Sequence, residues 1–304
     1  TCKRGDGIMK RIVRIGSRES RLAVWQAEYV AQLIEHAHPE IQVQIITMKT
    51  TGDKILDRSL DQIGGKGLFV KELDLALLEK RTDLSVHSLK DMPVEIPEQL
   101  PILAFSRRED PRDVILFRKG VKPEDITVIG TSSHRRRIQL ERLYPKCAFT
   151  GMRGNVQTRV RKLEEGQCDA TILAMAGLKR LGMESVAGRI LATDELIPAA
   201  GQGILAVQGR AGEDYSYLDC VMDEKAKVAA LSERAFVRML GGGCSAPTAA
   251  YAQIEGEEVI LNGLYYDEEA KDYITGKKRG PVEEAENIAR ALAAELKARF
   301  RERG

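Results

Sequence analysis

No apolar run in the 304-residue chain approaches the roughly 18 residues that a membrane-spanning helix needs. No positively charged opening followed by an apolar stretch reads as a secretory leader. Residues 1–8 lack any periodicity, and Met9, directly before the first strand pattern, is expected to be the natural start. The motifs C-x-x-C, H-E-x-x-H and G-x-x-x-x-G-K-[ST] are missing, which removes the usual sequence grounds for a zinc centre or a phosphate-cradling loop. No metal is expected. Five cysteines without close paired spacing make no disulfide framework, so a reducing, cytoplasmic setting is expected. Charge of one sign is scarce in excess: 47 Lys and Arg against 45 Asp and Glu leave a net +2, and any basic site must be local. Aromatics are 5% of the chain and do not interleave with the basic clusters, which counts against nucleic acid as a partner. There is no internal repeat and no low-complexity segment.

What remains, 43% hydrophobic and 30% charged, is the composition of a globular protein long enough for two or three domains. Arg11–Gly16 reads as a strand and Ser20 as the cap of a helix, whose Leu22, Trp25, Tyr29, Val30, Leu33 and Ile34 share one face. Pro39 ends that helix, and Ile41, Val43 and Ile45 alternate in a second strand. Residues 49–67, polar and glycine-rich, are too long for an ordinary connection and predict a lid. A helix is expected over Leu68–Lys80, then a strand from Leu84 towards Pro93 that delivers Lys90 and Asp91 at its carboxyl end, where open α/β sheets build sites. A second α/β unit follows, with strands at Val114–Phe117, Thr127–Gly130, Cys147–Thr150 and Ala170–Ala174. Its helices are expected at Ser133–Tyr144 and Val156–Glu165. Crossings near residues 106 and 200, with Ile204–Val207 returning to the first sheet, predict two lobes around a cleft. A helix over Asp223–Leu240, three antiparallel strands between Thr248 and Gly280 and a final amphipathic helix make a small α+β domain. The expected boundaries are 9–105 with 201–218, then 106–200, then 219–304.

Three helix starts carry arginine in or beside the first turn: Arg18 and Arg21, Arg135–Arg137, and Arg153 with Arg159. Positive charge there opposes the helix dipole by roughly 0.3–1 kcal/mol per residue. Each case alone is explained by side chains pointing into water. Three together point to an anionic ligand held by free N–H groups, hydroxyls and guanidinium forks. Asp91 before Pro93 reads either as a turn residue or as the acid of a site. Cys244, after three glycines and before Pro247, reads either as a buried turn cysteine or as an accessible thiolate.

Val86-His-Ser-Leu-Lys-Asp-Met-Pro93, Gly64-Gly-Lys-Gly-Leu-Phe-Val-Lys-Glu72, Gly130-Thr-Ser-Ser-His-Arg-Arg136, Met152-Arg-Gly-Asn-Val-Gln-Thr-Arg159, Ala176-Gly-Leu-Lys-Arg-Leu181 and Gly242-Gly-Cys-Ser-Ala-Pro247 stand in the order found in the porphobilinogen deaminase (hydroxymethylbilane synthase) family. On these motifs the chain resembles that family from about Ile12 to the final helix. The resemblance implies two periplasmic-binding-protein-like lobes, with the third domain carrying a cysteine. It implies a dipyrromethane cofactor joined by a thioether to Cys244, onto which four porphobilinogen molecules are condensed with loss of ammonia before hydrolysis frees the linear tetrapyrrole. Asp91 would face the pyrrole N–H groups and stabilise the cation formed as ammonia leaves. Lys90, Thr131, Ser133, Arg135 and Arg136 match cofactor contacts. Arg18, Ser20, Arg153, Arg159 and Arg180 match contacts to substrate or the growing chain, and Lys66 and Phe69 would close over the site. Gly241 and the pair Ser245-Ala246 depart from the commoner family residues beside the tether, and His134 is a further variation with no role assigned. A monomer acting on a small molecule, with neither nucleic acid nor membrane as partner, is expected. The alternative from another class is a non-catalytic two-lobed protein that binds a dicarboxylate, which would need neither Asp91 nor an open Cys244.

Overall fold

A computed structural model of the chain describes residues 10–50, 70–241 and 247–302. The segment expected to be a lid, with Lys66 and Phe69, therefore lies outside the described residues but for Lys49 and Thr50, and so does Cys244.

The first sheet is built on β1 (Arg11–Arg18), which pairs in parallel with β2 (Ile41–Met48) on one side and β3 (Leu84–Ser88) on the other. Helix α1 (Arg21–Ala37) packs on these three strands and α2 (Lys71–Leu78) on β1 and β3. Strand β4 (Ile102–Phe105) leads out to the second sheet. There β5 (Asp113–Phe117), β6 (Val128–Gly130), β7 (Ala148–Thr150), β8 (Ala170–Ala174) and β9 (Arg189–Ile190) lie in the order β7-β6-β8-β5-β9. Helices α3 (His134–Leu143), α4 (Val156–Glu164) and α5 (Met175–Arg180) belong to this lobe. The chain then returns as β10 (Leu205–Gly209), which fits antiparallel between β3 and β4 and gives the order β2-β1-β3-β10-β4. A helix, α6 (Glu224–Met239), leads to the three-stranded antiparallel meander β11 (Ala249–Glu255), β12 (Glu258–Asp267) and β13 (Asp272–Pro281), covered by α6 and α7 (Ala285–Arg301). The architecture is two α/β lobes and a small α+β unit.

The two crossings run side by side: Glu109 N donates to Gly203 O at 3.0 Å and Ser106 N to Leu205 O at 2.9 Å. Gly203 has φ +90°, and a Cβ there would run into Glu109 O, so this close approach requires glycine. Buried Glu233 of α6 fixes the crossings to the third unit. It accepts from Arg108 Nη1 (2.6 Å) and Nη2 (3.1 Å), from Gly201 N (2.6 Å) and from Ala252 N (2.8 Å).

Two local expectations need correction. The buried face of α1 is Ala23, Gln26, Ala27, Val30, Ala31 and Ile34; it shares Val30 and Ile34 with the expected set, and Tyr29 and Leu33 pack against the same core only partly buried. Alanines let the helix sit close on the sheet, while Trp25 and Tyr29 stack on its flank with ring centroids 5.5 Å apart. The strand before Pro93 also stops earlier, at Ser88. Residues Leu89–Asp91 form one 3-10 turn closed by Met92 N to Leu89 O at 3.1 Å, and Met92 itself is extended before the proline.

Candidate active site

The three arginine-bearing helix starts have one construction. Ser20, Ser133 and Asn155 cap α1, α3 and α4 by accepting from Ala23 N (3.3 Å), Arg136 N (3.4 Å) and Thr158 N (2.9 Å). No acidic residue stands in the first turn of any of the three helices. The positive ends of α3 and α4 are thus reinforced by cations rather than neutralised by a neighbouring carboxylate.

Asp113, the first residue of β5, anchors the centre. Fully buried, it accepts from Arg135 Nη2 (2.8 Å), Arg136 Nη2 (2.7 Å) and Gln202 Nε2 (3.0 Å). Burial alone would raise its pKa, but the Arg136 and Arg135 guanidinium groups, with the Lys90 ammonium, outweigh this and hold it well below the carboxylate range. Arg135 also donates to Ile197 O (2.7 Å) and Arg136 to Ile172 O (3.1 Å). These arginines are therefore locked in place, with Nη1 and Nη2 of Arg135 each giving one bond to the protein. Arg136 Nε is buried without a partner among the described residues.

Lys90 and Asp91 come from the other lobe, on the 3-10 turn. Lys90 makes a long bond of 3.4 Å to Gln202 Oε1. Although part of its surface reaches the cleft, burial pushes its pKa down to about 8; Asp91 and Asp113 oppose that shift and Arg136 and Arg135 add to it. Asp91 itself is exposed. Arg159 donates to Gly154 O at 2.8 Å, and burial brings its guanidinium down to about 10, assisted by the like charges of Arg136 and Arg153 and opposed by Asp91. Lys90, Asp91, Arg135, Arg136, Arg153 and Arg159 thus act on one another across the cleft. A small pocket at the end of β3 joins Asp91 to Arg18, Gln26, His87 and Ser88.

The other expected residues are more local. Ser20 and Ser133 serve as caps. Thr131 is buried, and its hydroxyl accepts from Ser133 N at 3.2 Å. Arg180 is not gathered with the Asp91 cluster. It is buried beside the crossing, donates to Gly203 O at 2.7 Å, and is brought down to about 10 by burial, with Glu109 and Tyr29 opposing. Sequence reasoning missed Asp113, Gln202 and Gln26. Asp113 follows Arg112 at a strand start, where an acid reads as ordinary, and its weight shows only when α3 is laid against β5.

A dipyrromethane carries carboxylates, so residues that hold one should offer unused donors. Arg136 Nε on α3 and Gln157 Nε2 on α4 are both buried without acceptors among the described residues. Lys90 adds a cation held only by a long bond. The donor set fits such a group.

Residues 13–217 match the family model described as porphobilinogen deaminase, dipyromethane cofactor binding domain, and residues 227–298 match the porphobilinogen deaminase C-terminal domain. The porphobilinogen deaminase of Acetivibrio thermocellus is 50% identical over 285 residues, covering 93% of this chain and 97% of that protein. That of Ruminiclostridium josui is 52% identical over 280 residues, covering 90% and 95%. Among solved structures, a TRAP periplasmic solute binding protein from Desulfovibrio salexigens aligns at a TM-score of 0.41 and 13% identity, over 72% of this chain and 73% of its own. With both domains matched and half the residues shared along nearly the whole length, the chain belongs to the porphobilinogen deaminase family.

Proposed function

We propose that the chain condenses four porphobilinogen molecules head to tail, with release of ammonia, and frees the linear tetrapyrrole by hydrolysis, with Asp91 as the catalytic acid residue and Cys244 as the point of attachment of the dipyrromethane. The observation that carries the reading is the exposed Asp91 carboxylate standing opposite Arg136, Arg153 and Arg159 of the other lobe. In each addition the aminomethyl C–N bond breaks, a C–C bond to the growing chain forms, and the displaced ring hydrogen leaves as a proton, so that ammonia is the by-product. The bound cofactor supplies the first pyrrole carbon nucleophile. The protein's own task is electrostatic. The arginines and Lys90 hold acetate and propionate arms, while Asp91 faces the pyrrole N–H groups and offsets the positive charge that develops as nitrogen departs. Arg135 and Arg136, pinned by Asp113, are preorganised and need not reorient during the step.

Lys90, Thr131, Ser133, Arg135 and Arg136 are assigned to the cofactor, and Arg18, Ser20, Arg153, Arg159 and Arg180 to substrate or the growing chain. Lys66 and Phe69 are assigned to closure. The division into 9–105 with 201–218, 106–200 and 219–304 accompanies this reading, as do a monomeric state, a cytoplasmic location, and the absence of nucleic-acid and membrane partners. No helix among the described residues is long and apolar enough to cross a membrane. A two-lobed dicarboxylate-binding protein would share the cations, but family membership favours the enzyme.

The test is turnover together with intact mass. The purified protein should consume porphobilinogen, colour with an aldehyde reagent for pyrroles and weigh one dipyrrole more than its sequence. A protein of unmodified mass that leaves porphobilinogen untouched after incubation would refute the assignment. Arg159→Ala should in addition accumulate enzyme carrying one or two extra rings, because losing one charge-assisted bond costs about 1.5–3 kcal/mol. Elongation at the wild-type rate would remove Arg159 from that role.

A further inference from the structure

Arg234 has no part in the reading so far, yet it holds the chain directly behind Asp91. It lies on α6 and is 7% exposed. Its Nη2 donates to Pro93 O and to Val94 O, the latter at 2.8 Å. One helical turn on, the exposed Arg238 donates from Nη2 to Val94 O (3.3 Å) and from Nε to Glu95 Oε1 (2.9 Å). Residues 93–96 belong to no helix or strand, and none of them makes a backbone–backbone hydrogen bond among the described residues. Pro93 has no N–H to give. The sheet ladder that fixes β3 therefore does not extend to the segment after Asp91, and two arginines of α6 take its place.

Apolar side chains seat the same turn on the same helix. Leu89 and Met92, which flank Lys90 and Asp91, are buried in one cluster with Ala226 and Ala230 of α6. Val94 packs against the core of the third unit. Packing alone would be served by a methionine at position 234, without the cost of burying a charge. A guanidinium adds rigid donors that fix the two carbonyls in direction as well as in distance. The helix that carries it ends at Met239, five residues before Cys244.

We propose that Arg234 is a positioning residue for Asp91: by holding the Pro93 and Val94 carbonyls against α6, it sets where the Asp91 carboxylate stands. Asp91 is exposed, so the backbone that carries it decides the place of its carboxylate. A shift of about 1 Å in such a group can cost up to about 100-fold in rate. Because α6 also leads to the proposed attachment point, one helix serves both the acid and the tether. The inference rests on the function proposed above and adds a residue to it.

The test is a double-mutant cycle on holoenzyme, with wild type, Arg234→Met, Asp91→Asn and the double variant. Steady-state kinetics is read beside the rate of ring addition by intact mass. Arg234→Met keeps the length of the side chain and loses its donors. It should lower kcat about tenfold and leave KM within about threefold, since the arginines assigned to the substrate arms are untouched. In the Asp91→Asn background the same substitution should slow ring addition by less than about twofold, because a residue that acts through Asp91 then has no carboxylate to place. Arg234→Lys, with a single ammonium in place of the fork, should lose about threefold in kcat. Equal factors in both backgrounds would show a residue that serves the fold alone and would overturn the inference. Wild-type kcat in a folded Arg234→Met would do the same, and so would a folded Arg234→Met that lacks the dipyrrole, since its effect would then lie in attachment. Melting temperature shows which variants fold; should Arg234→Met not fold, the cycle is run with Arg234→Lys and the same outcomes decide. Wild-type turnover is recorded in the same assay: its absence would overturn the proposed function and this inference with it, whereas turnover with equal factors overturns the inference alone.

Discussion

At the scale of single residues, the site depends on one buried carboxylate. Asp113 is the only acid in direct contact with both Arg135 and Arg136 among the described residues. Asp113→Asn would leave two buried guanidinium groups facing a neutral amide, and breaking one partner of such a cluster costs about 3–5 kcal/mol. The melting temperature should fall, and turnover of whatever remains folded should fall with it; a variant as stable as wild type would mean that the arginines find other partners. The pH sign follows from the depressed carboxyl. Its contribution to stability is fully present above the ordinary carboxylate range and is lost as pH drops through the lower, folded-state value. Asp74 behaves in the opposite way. Half-buried on α2 with Oδ1 unpartnered among the described residues, it is raised by burial to about 6. Its ionisation opposes folding above about that value and has no effect below the ordinary carboxylate pKa of about 3.9. With allowance for its solvent exposure, Asp74→Asn should add about 1 kcal/mol of stability at pH 7. That gain should shrink to nothing at about pH 4. Equal melting temperatures at pH 7 would show that Asp74 is relieved by neighbours in solution.

At the scale of elements, periodicity and caps carried far. Ser20, Ser133 and Pro39 bounded helices as expected, and most strands of the second sheet lie within two residues of their reading. Strands β4 and β9 and helix α5, of four, two and six residues, were missed. The α1 face was legible in part: Val30 and Ile34 are buried as expected, whereas the alanines beside them, which let the helix sit close on the sheet, carry too little weight in an apolar pattern to register. For the site, the motifs marked the cations and Asp91, since charge at a helix start is visible in sequence. Asp113 and Gln202 were illegible because their meaning is a meeting of β5, α3 and a crossing far apart in the chain. His87 was read only as an alternating strand position. A cap also predicts an effect: Asn155→Ala should destabilise by about 1 kcal/mol and, by loosening the start of α4, weaken the hold of Arg159. A melting curve and a KM unchanged from wild type would separate α4 from the site.

At the scale of the molecule, the proposed function draws cofactor tether, acid and anion sites from three units, which would make their relative placement itself functional. Arg108 and Glu233 join the crossings to α6, whose carboxyl end leads within five residues to Cys244. Gly203→Ala would force a methyl against Glu109 O at the crossing. It should lower both stability and turnover while leaving every named contact residue intact, and wild-type activity in that variant would show that the crossings yield freely. The central claim is a division of labour, in which Cys244 holds the chain and Asp91 drives its growth. One measurement reads both roles: intact mass spectra of wild type, Cys244→Ala and Asp91→Asn before and after brief incubation with porphobilinogen. Wild type should carry a dipyrrole and gain one to four rings. Cys244→Ala should carry none and gain none, and Asp91→Asn should carry the dipyrrole yet elongate about two to three orders of magnitude more slowly, the usual cost of losing one preorganised electrostatic partner. Rapid appearance of the one- to four-ring adducts on Asp91→Asn, or a covalent dipyrrole on Cys244→Ala, would contradict it.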